Sequence, residues 1–230
     1  MAKAKQPAAP PDVSFGTLME ALHRVADISQ HPNRHYHGPG EVLGVRMGTL
    51  FDIAKQQQLM PLAEVHKLLD EPAYEARLAG FCILDFQVRG RDISSSEREE
   101  RYRLYLDRHD AIDSWDMVDR AAPRVIGVFL KDRSREPLFE LASSPDPFRR
   151  RTAMTAPLAY TRPADPAGID DLLRLAEILA DDPDPLVSKP VGIALKHAGG
   201  AAPDEVRAFL DRLGDRLPAA IRRQARAKLT

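Results

Sequence analysis

The chain has 230 residues, of which 43% are hydrophobic and 29% charged, and a formal net charge of −1. That length supports one sizeable domain with a well-buried core, and no apolar run of about 18 residues is present to cross a membrane. The lone cysteine, Cys82, excludes an internal disulfide, and the near-neutral average excludes a chain that is basic throughout.

In chain order, the opening "MAKAKQPAAPPD" carries two lysines but no apolar h-region. Residues 1–12 therefore read as a disordered Pro/Ala tail ahead of one domain over 13–230, and a cytoplasmic location is the default expectation. The loop "HPNRHYHG" groups His31, His35 and His37. No carboxylate or cysteine partner stands at ligand spacing, so no metal site is expected, and the loop reads as a capping or DNA-facing segment. Cys82 lies in the apolar run "LAGFCILDF", where a buried thiol is expected rather than a nucleophile. "GRDISSSEREERYR" reads as a polar loop entering a charged, solvated helix.

Apolar residues recur at helical spacing almost everywhere, and no stretch alternates at period two over strand length. The expected class is all-α. Proline stands at or just before successive helix starts in "MPLAEV", "SSPDPF", "DDPDPL", "AAPDEV" and "RLPAAI", where its missing N–H costs nothing. Stacking "DEPAYEAR", "SSPDPFRRR" and "DDPDPLVSK" aligns Arg77, Arg151 and Lys189, 74 and then 38 residues apart, with Arg223 another 34 on. A missing copy then centres on position 114. Self-similarity at about 35 to 40 residues marks an α-solenoid of HEAT-like helical repeats. The aligned cations either form one basic stripe or brace helix ends against loop aspartates, and the residues alone leave both open.

Charge is unevenly placed. From Arg120 to Arg162, nine basic and four acidic residues leave a local net charge of +5, while Pro163 to Pro185 holds seven acids against Arg174. At the start of the basic segment lies "DSWDMVDRAAPRVIG", which contains the only tryptophan. On a helix Trp115 and Asp119 share a face at i and i+4, whereas Asp116 points away and its replacement is expected to be nearly neutral. Pro123 removes the N–H that would bond the carbonyl of residue 119, so an opening of the helix is expected beside Asp119. Two readings fit: a helix start that carries a packing Trp, or a site where an indole and a carboxylate point the same way.

The runs "IDSWDMVDRAAPRVIGVFL", "DPFRRRTAM" and "LADDPDPLVSKPVGIALKHAG", with "GPGEVLGVRMGTLFDIAK" and "YEARLAGFCIL" upstream, resemble the AlkD-type DNA alkylation repair enzymes, HEAT-like alkylpurine DNA glycosylases. The resemblance implies that Asp119 is the catalytic carboxylate and Trp115 an aromatic wall. It implies that Arg151 is a DNA-facing partner, in a monomer acting on double-stranded DNA with alkylated bases, with no metal or other cofactor; the register cation Lys189 with Arg150, the loop residues Arg34 and Tyr36, and Phe148 and Ile193 beside the cleft complete the expected DNA contacts. Three departures stand out. Ile193 occupies the place of a second cleft tryptophan, Phe148 stands where a Trp is common, and Pro190 interrupts "SKPVGIAL" where a helix former is usual. A non-catalytic protein of the same architecture that binds damaged or structured DNA is therefore the main alternative, and a protein-binding scaffold the third.

Overall fold

A computed structural model describes residues 12–229, so the expectation of a disordered tail falls almost wholly outside the described residues. Those residues form helices and turns, with two isolated bridges and no strand. The helices are α1 (Phe15–Val25), α2 (Met47–Gln56), α3 (Leu62–Leu69), α4 (Tyr74–Gln87), α5 (Ser95–Asp107), α6 (Trp115–Ala122), α7 (Val128–Leu130), α8 (Glu136–Ala142), α9 (Pro147–Thr155), α10 (Pro166–Leu179), α11 (Pro185–Gly199), α12 (Pro203–Leu213) and α13 (Ala219–Ala225). The all-α solenoid expectation holds.

Local chemistry explains where these helices begin. Ser94 and Glu97 close a capping box on α5, and Asp146 and Asp184 each accept the N–H two residues on, at 2.9 Å, to start α9 and α11. Prolines occupy the first or second position of α8 through α12, where no intrahelical donor is lost.

Packing sorts the helices into two rows. α4, α6, α9, α11 and α13 contact one another in sequence, and α3, α8, α10 and α12 lie against α4, α9, α11 and α11 from behind. α4 is buried nearly all round, which is why "YEARLAGFCILDF" lacks a polar stripe; Tyr74, Phe81 and Leu84 have no exposed surface. Full burial of a Leu or Phe of this kind stabilises by about 1.5–3 kcal/mol. Cys82 is buried with them, and burial pushes its thiol up to about 12, so it is an inert packing residue as expected.

The segment before α4 is held by one buried carboxylate. Glu75 accepts the N–H groups of Leu43, Gly44 and Val45 at 2.9–3.2 Å and the amide of Asn33 at 2.6 Å. The histidine loop is thereby tied to the start of the inner row.

Counting from the caps corrects the repeat register. Arg77 stands four residues after its cap, Ala73, and its structural counterpart is Arg150, four after Asp146. Both donate through Nη1 to the carbonyls six and five residues back, Glu71 and Pro72 in one case and Ser144 and Pro145 in the other, and both pair with an acid of the next unit, Asp113 and Asp182. These two cations brace helix ends against loop acids. Five residues after the caps come Arg151 in α9, Lys189 in α11 and Arg223 in α13, and the same place in α6 is Asp119. The missing copy of the repeat cation is a carboxylate.

Candidate nucleic-acid interface

Trp115 opens α6, with 40% of its surface exposed, and Asp119 follows one turn later on the same face. Arg151 reaches across from α9. Its Nε and Nη2 donate to the two oxygens of Asp119 at 2.9 and 2.7 Å, and its Nη1 donates to the carbonyl of Leu186 at 2.7 Å. The arginine side chain is 7% exposed and the carboxylate 34%. The fork therefore comes from inside the protein and leaves the outer lone pairs of Asp119 facing solvent. The guanidinium carbon also lies 5.8 Å from the indole centroid.

Pro190 accounts for the third bond of Arg151. A proline within α11 has no N–H for the carbonyl four residues back, which is that of Leu186, so the carbonyl is free to accept from Arg151. The residue that departs from the expected pattern thus helps to fix the arginine that fixes Asp119. Together Trp115, Asp119, Arg151, Leu186, Lys189 and Ile193 line an open cleft of about 500 Å³.

Behind the indole sits a network that sequence reasoning missed. Asp116 is only 8% exposed and accepts from the hydroxyl of Tyr74 and, at 3.1 Å, bonds His35 Nε2. The His35 ring meets the Trp115 indole edge-on at 5.7 Å. Burial, reinforced by Asp116, holds the Tyr74 phenol well above its ordinary range, so the tyrosine stays a donor. Asp116 points away from the cleft, as expected, and into a buried polar cluster, so its replacement bears on the stability of the fold. The opening at Pro123 is also displaced. α6 runs regularly through Ala122, and a π-helical turn spans Pro123–Gly127, beyond Asp119 rather than beside it. Gly127 is required there, because a Cβ would collide with the carbonyl of Ala156.

The other expected contacts separate into two groups. Lys189 and Ile193 line the cleft, Ile193 with 37% of its surface exposed, and Arg34 is exposed in the histidine loop. Arg151, Arg150 and Tyr36 have their polar groups engaged within the protein. All three nitrogens of Arg151 are engaged inside the protein, and Arg150 is spent on Asp182 and two carbonyls. Tyr36 is 9% exposed, donates to Asp113 at 2.6 Å and accepts from Gly40 N at 2.7 Å. Groups whose hydrogen bonds are already made inside the protein have less to offer a phosphate than Lys189 or Arg34. Phe148 is half-buried against the core. Among the described residues no three His, Cys, Asp or Glu side chains come together as a metal-binding group, and His35 is taken up by Asp116 and Tyr74.

A family model described as "DNA alkylation repair enzyme" matches residues 18–229. Among solved structures the chain is similar to a predicted DNA alkylation repair enzyme from Enterococcus faecalis, with a TM-score of 0.61 and 14% identity over 94% of this chain and 95% of that one. At that identity the likeness shows the fold. No curated protein matches the chain. With the family model spanning nearly all of the solenoid and both walls of the cleft, the chain belongs to the DNA alkylation repair enzyme family.

Proposed function

We propose that the protein is a DNA glycosylase that releases cationic N3- or N7-alkylated purines from duplex DNA, acting as a monomer. The observation that supports this most is the pairing of a partly exposed carboxylate, Asp119, with the exposed face of Trp115 on one wall of an open cleft.

Alkylation at N3 or N7 makes the purine a cation and hence a good leaving group. As the glycosidic bond breaks, its electron pair goes to the base, which departs neutral, and positive charge develops on the deoxyribose. Asp119, held by Arg151, stabilises that charge, and water completes the hydrolysis at the sugar carbon, its proton passing to solvent. No acid is needed for the leaving base. The indole adds cation–π attraction worth about 0.5–2 kcal/mol while the base is charged. The cleft is open rather than an enclosed pocket, which suits attack on a lesion without swallowing a flipped base.

A second reading has its own observation. Ile193 supplies an aliphatic wall where the family resemblance implies an indole, which favours a protein that binds altered DNA without cleaving the bond. Single-turnover release of 7-methylguanine and 3-methyladenine from methylated duplex DNA tests the two. Wild type is expected to release base, Asp119→Asn to lose about 10- to 1000-fold, and Trp115→Ala to lose less. No release by wild type, with DNA binding intact, establishes the second reading.

A further inference from the structure

The cleft does not end at Ile193. Trp115 and Asp119 on α6 and Pro123 at the start of the π-turn follow at i, i+4 and i+8, and on α11 so do Lys189, Ile193 and His197. The same pair of faces therefore continues about 12 Å along the helices. There it meets a second recess of about 340 Å³, bounded by Pro123, Arg124, Leu158, Arg162 and His197. The π-turn and Gly127 make this recess, by bringing the backbone after α6 against the turn Ala156–Tyr160.

Its chemistry is one-sided. No carboxylate lines it. Among the described residues Arg162, Lys196 and Lys228 make no ion pair. Arg124 has only Asp85, at 3.6 Å, and that carboxylate already serves Arg89 and Arg120. The groups that face His197 are Lys196 on its own helix, Arg162 from the loop before α10, and Lys228 from the turn after α13; Arg124 from the π-turn shares the recess. Burial first, and then Lys228, Arg162 and Lys196, hold its imidazole below the ordinary histidine range. Cations gathered round an imidazole with no carboxylate in the recess raise the energy of the empty site, and an anion relieves it. Arg124 and Arg162, near the two ends of the +5 segment of the sequence, both line this recess.

We propose that this recess is a phosphate subsite: Arg162 and His197 bind a phosphodiester of the DNA strand that occupies the cleft, and His197 takes up a proton as the phosphate arrives. The assignment rests on the DNA-binding part of the proposed function and is independent of glycosidic cleavage. Its pH sign follows directly. The phosphate charge raises the His197 midpoint, so binding releases more free energy as pH falls through the midpoint of the bound state.

The test is NMR titration of the His197 imidazole in the full chain with inorganic phosphate and, separately, with an unmethylated duplex. Duplex affinity is measured in parallel across a salt series for wild type, Arg162→Gln and His197→Gln. Both ligands are expected to raise the His197 midpoint. Arg162→Gln is expected to weaken duplex binding several-fold and to reduce the salt slope by about one, and His197→Gln to flatten the pH dependence. Duplex binding with unchanged slope and pH dependence in both variants, and an unmoved midpoint, overturns the subsite while leaving DNA binding in place. A midpoint moved by inorganic phosphate but not by duplex overturns the strand assignment in favour of free phosphate. A wild type that binds no duplex sinks the DNA reading and the strand assignment with it.

Discussion

Arg151 grips Asp119 through two parallel bonds of 2.9 and 2.7 Å, the arginine nearly buried and the carboxylate a third exposed. Asp119 occupies in α6 the place that Arg151, Lys189 and Arg223 take in the inner helices that follow. A carboxylate set into a register of cations finds its partner in the next repeat, and the ion pair is a by-product of the repeat geometry. Its orientation is then fixed by the Leu186 carbonyl that Pro190 leaves free.

This arrangement makes Arg151 a positioning residue. Arg151→Lys keeps a positive charge but loses the planar fork, and Arg151→Ala loses both. Each is expected to slow base release, with Lys intermediate between wild type and Ala. Removing the arginine also leaves the buried side of Asp119 unpaired, at a cost of about 1–3 kcal/mol, or a fall in Tm of about 2–10 °C. Release by Arg151→Lys at the wild-type rate would show that charge alone suffices.

Asp116→Asn separates fold from chemistry differently. Its buried oxygen accepts from Tyr74 and meets His35, so the amide is expected to destabilise by about 1–3 kcal/mol in urea unfolding. Tyr74→Phe removes the same bond from the other side. The double variant should therefore lose clearly less than the sum of the two singles. Strict additivity would mean that the two groups act apart.

How far the sequence reached is clear from these residues. Prolines located α9, α11 and α12, because that signal acts on the first turn of the helix it opens. The pairing of Trp115 with Asp119 was legible because it lies within one helix. The cation register was read one residue out at Arg77, since only the cap, Ala73, which carries no side-chain signal, determines the count. Tyr74 and His35 were missed because they reach Asp116 across 42 and 81 residues of sequence, a separation no local pattern encodes.

His109 gives the fold a pH dependence. It is buried with Nε2 bonded to Thr152 at 3.0 Å, and burial, only partly opposed by Asp146, lowers its midpoint to about 4. The unfolded chain protonates this histidine near 6.5. The folded state therefore keeps its full advantage above about 6.5 and loses it as pH falls toward 4, by on the order of 3 kcal/mol at most. Urea midpoints for wild type and His109→Gln are expected to converge or cross as pH drops through that window, because the variant lacks this loss. A constant difference between the two curves would place the pH dependence elsewhere.

Ile193→Trp asks what the second wall of the cleft contributes. Ile193 is 37% exposed and lines the cleft with Trp115 and Asp119, so an indole there meets little of the core. Its expected effect on stability is correspondingly small. Toward a cationic base a second aromatic face adds about 0.5–2 kcal/mol, equivalent to about 2- to 30-fold in affinity. Toward unmethylated duplex it adds much less, since a neutral base lacks the charge that the ring quadrupole attracts. The measurement is a ratio: affinity for duplex carrying 7-methylguanine over affinity for the same duplex unmodified, with single-turnover release followed alongside. A rise in that ratio with faster release shows that the wall acts on the reacting state. A rise in affinity with release unchanged shows that it binds ground state and transition state equally. An unchanged ratio would mean that the exposed face of residue 193 does not meet the base, and that Trp115 alone reads the lesion.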